Sequence, residues 1–511
     1  MLSSSRNPNL GLRLILAMAS IAMSLIVLPA IAQPNPCIQG QSCFTNVKDI
    51  LNGQRHLLRT DDLLVTGLFG NSFAGAILST TNSAVSASRA SSLGGSIDPH
   101  LDNPPILKTA AGARMFNLNH DVTLSVACAQ AQQGCANGTL SLFLDPDANL
   151  PKGLPLNTLF GAQFQPNQIL STTADFTGDG YTEVVLVGPM CCGAHKLSYP
   201  IVVGAVDPET PGKGLRSSFQ GSFDFPGVVP LAAAAGDFSG SGQPVIAILG
   251  IPDPGFNNPP GALGFQFYTV DPVSLDVGLP ANGLASNFTL ALPEGPDAHV
   301  AAASLVAGRF GNVTHDQLAV VYAVAGGTPK LITIDFDSGG KPVQQATVDT
   351  HFPVGNSPRV VIKAGHFDWS GSFDQAVVLV ATGTTSADAG SNVQLYTFDA
   401  SLNPTNQEEF GMVGACHVDL AAGNFDRMQA NPNPPPPNER NPNLQAALLG
   451  SDCGSNVNVT VLDVDPANGF AMSIASSFQL PSQLLPGPMN YATLVASDSQ
   501  GRSLALVGPP K

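Results

Sequence analysis

Residues 174–188, ADFTGDGYTEVVLVG, decide how the rest of the chain reads. Oxygen-bearing side chains stand at alternate positions, Asp175, Thr177 and Asp179, while Gly178 and Gly180 let the backbone turn tightly. Glu183 follows, directly before the apolar run Val184, Val185, Leu186 and Val187. A calcium ion takes about six to eight hard oxygens, which a loop of this spacing can supply from side chains, a carbonyl and water. The apolar run reads as a buried strand. The stretch is thus a metal-type turn leading into a strand, and weaker copies of it recur along the chain.

The copies are centred on Phe69 (LLVTGLFGNSFAGAILSTT), Phe116 (GARMFNLNHDVTLSVA), Phe176, Phe238 (AGDFSGSGQPVIAILG), Phe310 (AGRFGNVTHDQLAVVYA), Phe367 (AGHFDWSGSFDQAVVLVA) and Phe425 (AAGNFDRMQ). In the last of these the turn is swollen by NPNPPPPNERNPN before the strand resumes as LQAALLG, and a degenerate copy, VASDSQGRSLALVG, lies near the end. The phenylalanines are 47, 60, 62, 72, 57 and 58 residues apart. A second landmark keeps step with them: an apolar strand closing on Asp145, Asp207, Asp271, Asp337, Asp399 and Asp465. Alternating runs such as LITIDF, VQLYTF and VNVTVLDV separate the landmarks. Each unit therefore reads as four short antiparallel strands joined by Gly, Pro or Asp turns.

A four-strand unit of this size cannot bury both of its faces alone, and radial stacking of such sheets is the β-propeller solution. The expected fold is all-β, a seven-bladed propeller of four-stranded antiparallel blades, with eight blades as the alternative. Seven is favoured because the first spacing is too short for a full unit and closure by the terminal strands removes exposed edges. The domain reading is a signal peptide over 1–32, a leader over 33–59 and the propeller over 60–511.

The FG-containing strand, the D-x-T-x-D-G-x-x-E hairpin and the apolar strand after it resemble FG-GAP or VCBS repeats, as found in integrin-like propellers and secreted bacterial proteins. The resemblance spans about residues 60–507 and is specific for fold rather than activity. It implies one calcium site, ligated by the side chains of Asp175, Thr177, Asp179 and Glu183 with the Tyr181 carbonyl between them. Thr177 and Glu183 replace the Asn or Asp commoner in that pattern. The other loops read as decayed: Ser239 and Ser241 follow Asp237, but Gln243 and Val245 cannot complete an anionic cage, and His366 and Ser370 stand where aspartates would be.

Residues 1–32 carry Arg6 and Arg13, an apolar run over 14–28 and Ala30-Ile31-Ala32, which read as a cleavable secretory signal. Its loss moves the formal net charge from −16 to −18, a field that disfavours nucleic acid as a partner. No second long apolar run follows, so no membrane insertion is expected. The location is expected to be extracellular, or periplasmic in a Gram-negative host, and the protein a monomer. Eight cysteines fit an oxidising compartment, with Cys37–Cys43, Cys128–Cys135 and Cys416–Cys453 as local pairs; a bridge between the adjacent Cys191 and Cys192 would be strained, and the two read as a vicinal bridge, a structural pair or free thiols.

No nucleophile elbow, H-E-x-x-H, C-x-x-C or phosphate-binding loop is present in the sequence. His120 and His315 read as the same turn position in different blades, and Trp369 offers an aromatic ring of the kind that stacks on a sugar. The functional expectation is a secreted, non-catalytic propeller binding a protein or glycan. The alternatives are a carbohydrate-active propeller enzyme of lyase type, or a structural module of a larger surface protein.

Overall fold

The computed structural model describes residues 62–69, 72–81, 84–92, 107–113, 122–128, 140–143, 154–155, 170–178, 182–188, 197–206, 215–225, 228–252, 261–280, 284–311, 314–337, 340–368, 373–382, 390–413, 418–423, 425, 445–451, 457–480 and 489–497. In chain order the strands are β1 (Asp62–Phe69), β2 (Ser72–Thr81), β3 (Ala84–Ser92), β4 (Leu107–Ala113), β5 (Val122–Cys128), β6 (Leu140–Phe143) and β7 (Leu154–Pro155). Next come β8 (Leu170–Ala174), β9 (Glu183–Val187), β10 (Leu197–Val206), β11 (Leu215–Phe225), β12 (Val228–Gly236), β13 (Val245–Pro252), β14 (Ala262–Val270), β15 (Val277–Gly278) and β16 (Asn287–Ala291). The remainder are β17 (Val300–Gly308), β18 (Gln317–Val324), β19 (Lys330–Phe336), β20 (Pro342–Asp349), β21 (Arg359–Gly365), β22 (Gln375–Ala381), β23 (Gly390–Phe398), β24 (Pro404–Val413), β25 (Asp419–Gly423), β26 (Gln445–Ser451), β27 (Val457–Asp465), β28 (Ala471–Leu480) and β29 (Met489–Ser497).

These strands form antiparallel sheets that are mostly meanders of consecutive strands, the exceptions being β29 paired with β1 and β16 paired with β14. Side-chain packing is described for five blades, β8 to β11, β12 to β16, β17 to β20, β21 to β24 and β25 to β28, rather than for the seven or eight of the sequence reading. Two further four-stranded sheets, β4 to β7 and β29-β1-β2-β3, are defined by backbone pairing. The blade of β12 carries a fifth strand, because β14 pairs with both β15 and β16.

Burial explains why the second strands β9, β18 and β22 are almost wholly apolar beyond their first residue. β9, β18 and β22 are buried at nearly every position, which requires cover on both faces of the blade. Successive side chains point to opposite faces, and the two faces belong to different seams. Ile246 and Ile248 pack with Val185, Val187 and Tyr268 toward the preceding blade. Ala247 and Leu249 join Leu318, Val320 and Tyr322 toward the following one. The alternation continues with Ala319 and Val321 against Val378, Val380 and Tyr396, and with Val377 and Leu379 against Leu420 and Leu448. The outer strands β20 and β28 are mostly half-buried or exposed.

The repeated phenylalanines are seam residues. Phe176, Phe238, Phe310, Phe367 and Phe425 are all buried. Phe238 stacks on Phe336 of the next blade at 4.8 Å, and Phe310 meets Phe398 of its own next blade at 4.6 Å. Phe116 lies outside the described residues. Phe69 corrects the sequence reading: it sits at the far end of β1, which is second in its sheet behind β29, with Phe69 opposite Met489 and Asp62 opposite Ser497. It is therefore not a counterpart of Phe176, which accounts for the short first interval. The Asp landmark marks turns between third and fourth strands. Asp271 accepts from the N–H of Val273 and Ser274, Asp337 from Lys341, Asp399 from Ser401 and Asn403, and Asp465 from Ala467.

Candidate functional site

In these antiparallel blades, the turns from first to second strand and from third to fourth strand lie on one face of the sheet stack. The index turn over 174–183 is on that face. Asp175 Oδ1 accepts from Gly178 N at 2.7 Å, and Glu183 Oε2 accepts from Phe176 N at 2.7 Å and Thr177 N at 3.2 Å. The Thr177 hydroxyl lies 3.5 Å from Asp175 Oδ1 and 3.3 Å from Glu183 Oε1. Asp175, Thr177 and Glu183 are thus brought together, with both carboxylates buried. Asp179 and Tyr181 lie outside the described residues. Among the described residues no group of three or more His, Cys, Asp or Glu has a metal-holding arrangement.

Strand register shows that Glu183 belongs to a repeated device. Ala174 faces Glu183, just as Gly308 faces Gln317, Gly365 faces Gln375 and Gly423 faces Gln445. Each glutamine reaches back to the turn with its Oε1. Gln317 accepts from Phe310 N at 2.9 Å, Gln375 from Asp368 N at 2.7 Å and Gln445 from Phe425 N at 2.9 Å. The device satisfies turn N–H groups that would otherwise be buried without an acceptor. In the remaining described blade Val245 takes this position, and Asp237 holds the turn instead, accepting from Ser241 N at 3.0 Å and Gly242 N at 2.7 Å.

The residue just before this latch makes a second link, between blades. Asp316 N donates to the Asp237 carbonyl at 2.8 Å, while Asp316 Oδ2 accepts from Asp237 N at 2.7 Å. One blade on, Asp374 N donates to the Arg309 carbonyl at 2.9 Å, and Asp374 Oδ2 accepts from Arg309 N at 2.8 Å. Gly236 admits this approach, since a Cβ there would lie 3.0 Å from Asp316 Oδ2 and 2.9 Å from Ala307 Cβ. Burial pushes the Asp316 carboxyl up to about 7 against the pull of the Asp237 N–H and the Arg309 guanidinium. Burial likewise raises Asp374 well above the usual carboxylate range, with the Asp316 charge adding to the effect and Arg309 opposing it.

Sequence reading missed both devices, although D-Q directly before the apolar strand in HDQLAVV and FDQAVVL was a visible signal. The histidines separate. His315 Nε2 lies 2.8 Å from Asp335 Oδ1 and its Nδ1 3.0 Å from the Thr314 hydroxyl, a contact set within one blade. Burial alone would raise Asp335, but hydrogen bonds from His315 and the Phe336 N–H hold it below the ordinary value. His366 Nε2 lies 3.5 Å from Asp374 Oδ1. His120, His417, Trp369, Ser370, Cys191, Cys192, the Cys416–Cys453 pair and the proline-rich insertion lie outside the described residues, as do the signal peptide and leader. Among the described residues no helix is long and apolar enough to cross a membrane.

No protein-family model matches the chain and no curated protein does, so the FG-GAP/VCBS resemblance rests on the motifs alone. Among solved structures the chain is similar to AofleA from Arthrobotrys oligospora, with 9% identity, 70% of this chain and 90% of that one covered, and a TM-score of 0.36. It is also similar to a mutant Aleuria aurantia lectin in complex with alpha-methyl-L-fucoside, with 9% identity, coverage of 69% and 96%, and a TM-score of 0.36. A mutant Synechocystis apocarotenoid oxygenase matches with 11% identity, coverage of 86% and 93%, and a TM-score of 0.39. At such scores none of these likenesses bears on what the chain does.

Proposed function

We propose that the chain is a secreted, monomeric, seven-bladed propeller that serves as a non-catalytic binding module for a protein or glycan. The observation that carries the reading is the use made of its most perturbed acids. Strongly shifted carboxyls in a cleft are the usual marks of an acid–base site. Asp316 and Asp374 instead accept backbone N–H groups of the neighbouring blade, which is a scaffold's use of a carboxylate. Closure into seven blades is supported by the pairing of β29 with β1 and by neighbour contacts that run β4, β8, β12, β17, β21, β25, β29 and back to β4. Binding then falls to the loops of the face opposite the clamps. A glycan array run beside polysaccharide turnover assays tests the reading: saturable binding without depolymerisation is expected, and turnover of any polysaccharide would favour the lyase-type alternative. A longer reading frame would favour a structural module of a larger surface protein.

The same proposal includes one calcium ion held by Asp175, Thr177, Asp179, the Tyr181 carbonyl and Glu183. Its support is charge: this blade alone among the five described has an acid at the latch position, beside the second buried acid Asp175, and a hard cation would offset both. Extracellular calcium modules have dissociation constants of about 0.1–1 mM, so about 1 mM calcium adds only about 0.4–1.4 kcal/mol. Asp179→Ala is expected to abolish calcium binding and leave a folded protein, as read by calorimetric titration and by melts with and without chelator. An unchanged calcium affinity in the variant removes the site, and global unfolding by chelator alone would give the ion a larger structural role.

A further inference from the structure

We propose that Asp316 and Asp374 act as a proton-operated pair of interblade clamps, which hold three consecutive blades tightly in acid and loosen toward alkaline pH. The geometry is one device used twice and joined in the middle. Asp316 closes a two-bond ring on the backbone of Asp237, and Asp374 closes the same ring on the backbone of Arg309. Arg309 belongs to both, since its backbone is gripped by Asp374 while its Nε lies 3.5 Å from Asp316 Oδ1. Asp374 Oδ1 faces His366 Nε2 at the same 3.5 Å.

In each acid one oxygen grips an N–H, while the other, Oδ1, is buried and has no hydrogen-bond partner among the described residues. An ionised carboxylate in that setting has its Oδ1 charge offset from 3.5 Å, by Arg309 for Asp316 and by a protonated His366 for Asp374, whereas a protonated one keeps the gripping acceptor and sheds the charge. Among the described residues the charged groups facing the pair are Asp237 and Arg309 around Asp316, and Arg309, His366 and Asp316 around Asp374. One guanidinium serves two acids. His366 offers a second positive charge only when protonated, and so withdraws it as pH rises. Next along the chain, His315 is already engaged by Asp335.

The direction of the pH effect follows from the raised carboxyls. A group that binds its proton more tightly folded than unfolded stabilises the fold fully below its unfolded value. That contribution is lost as pH rises through the folded value, here from roughly 4 up to about 7 for Asp316, with burial raising Asp374 in the same direction. Each carboxyl so held makes the folding constant fall about tenfold per pH unit across its window.

Three measurements on the full chain test the device. Infrared spectra of the wild type should show protonated carboxyl at pH 7 that titrates away in alkali. Hydrogen exchange, corrected for intrinsic rates, should show the Asp237 and Arg309 amides losing protection at alkaline pH ahead of the seam as a whole. Urea unfolding from pH 5 to 9 should show the falling folding constant, and Asp374→Asn, which keeps the acceptor for Arg309 N–H, should remove about one proton from that dependence. Asp316→Asn should do the same for the Asp237 clamp. Absence of protonated carboxyl at neutral pH overturns the proposal without any variant having to fold. So does a pH dependence that both substitutions leave intact, or clamp amides equally protected at pH 5 and 9.

Discussion

Phe238→Ala is expected to destabilise the fold by about 3–5 kcal/mol, the range for removing a fully enclosed aromatic ring. Its ring is 1% exposed, stacked at 4.8 Å on Phe336 of the following blade and edge-on at 5.9 Å to Phe267 of its own. Phe267 and Phe336 also meet edge-on at 5.6 Å, so the three rings form a closed cluster across the seam. Removing the central ring leaves a void bounded by the other two and by β-strand backbone, which cannot collapse without shifting one blade against the next. Urea unfolding should show a lower midpoint with an unchanged slope. Val273, which is 78% exposed on a turn of the same blade, supplies the contrast: Val273→Ala should stay within about 0.5 kcal/mol. A loss below about 1 kcal/mol for Phe238→Ala would mean that the seams are not what holds the blades together.

The contrast between those two residues shows what sequence could reveal. The phenylalanine period and the apolar strands were legible because seam burial demands them in every blade, and a repeated demand leaves a repeated letter. The Asp landmark was equally legible, and the structure gives it a turn-holding reason at Asp271, Asp337, Asp399 and Asp465. Phe69 misled because it carries the right letter on the wrong strand: only pairing with β29, more than 400 residues away, places β1 second in its sheet. The clamps were not legible for the same reason. Asp316 and Asp374 look like loop acids until Asp237 and Arg309, 79 and 65 residues earlier, are seen beneath them. Glu183 was legible as an acid in a metal-type loop. Its part as a latch became visible only when strand register aligned it with Gln317, Gln375 and Gln445.

That alignment yields the second large effect. Gln317→Leu is expected to cost about 2–4 kcal/mol, although leucine is close in volume and the site is fully buried. The glutamine Oε1 takes the Phe310 N–H at 2.9 Å and the Gly311 N–H at 3.4 Å, and its own Nε2 donates to the His315 carbonyl at 3.0 Å. Leucine would leave these backbone groups without that partner, each buried orphan costing about 1–3 kcal/mol. Gly311 leaves the turn no room to rearrange, because a Cβ there would already lie 2.6 Å from the Asp399 carbonyl of the next blade. The companion substitution is Glu183→Gln, which installs in the index blade the residue that three other blades carry. In calcium-free buffer it should leave stability within about 0.5 kcal/mol of wild type, since an amide oxygen can accept from Phe176 N and Thr177 N as Gln317 does in its own turn. Calcium affinity should fall about tenfold or more, because the ligand set loses a charge. Urea melts and calorimetric titrations of both variants separate the two roles. A stable Gln317→Leu protein would demote the latch to decoration, and an undiminished calcium affinity in Glu183→Gln would leave Glu183 a latch alone.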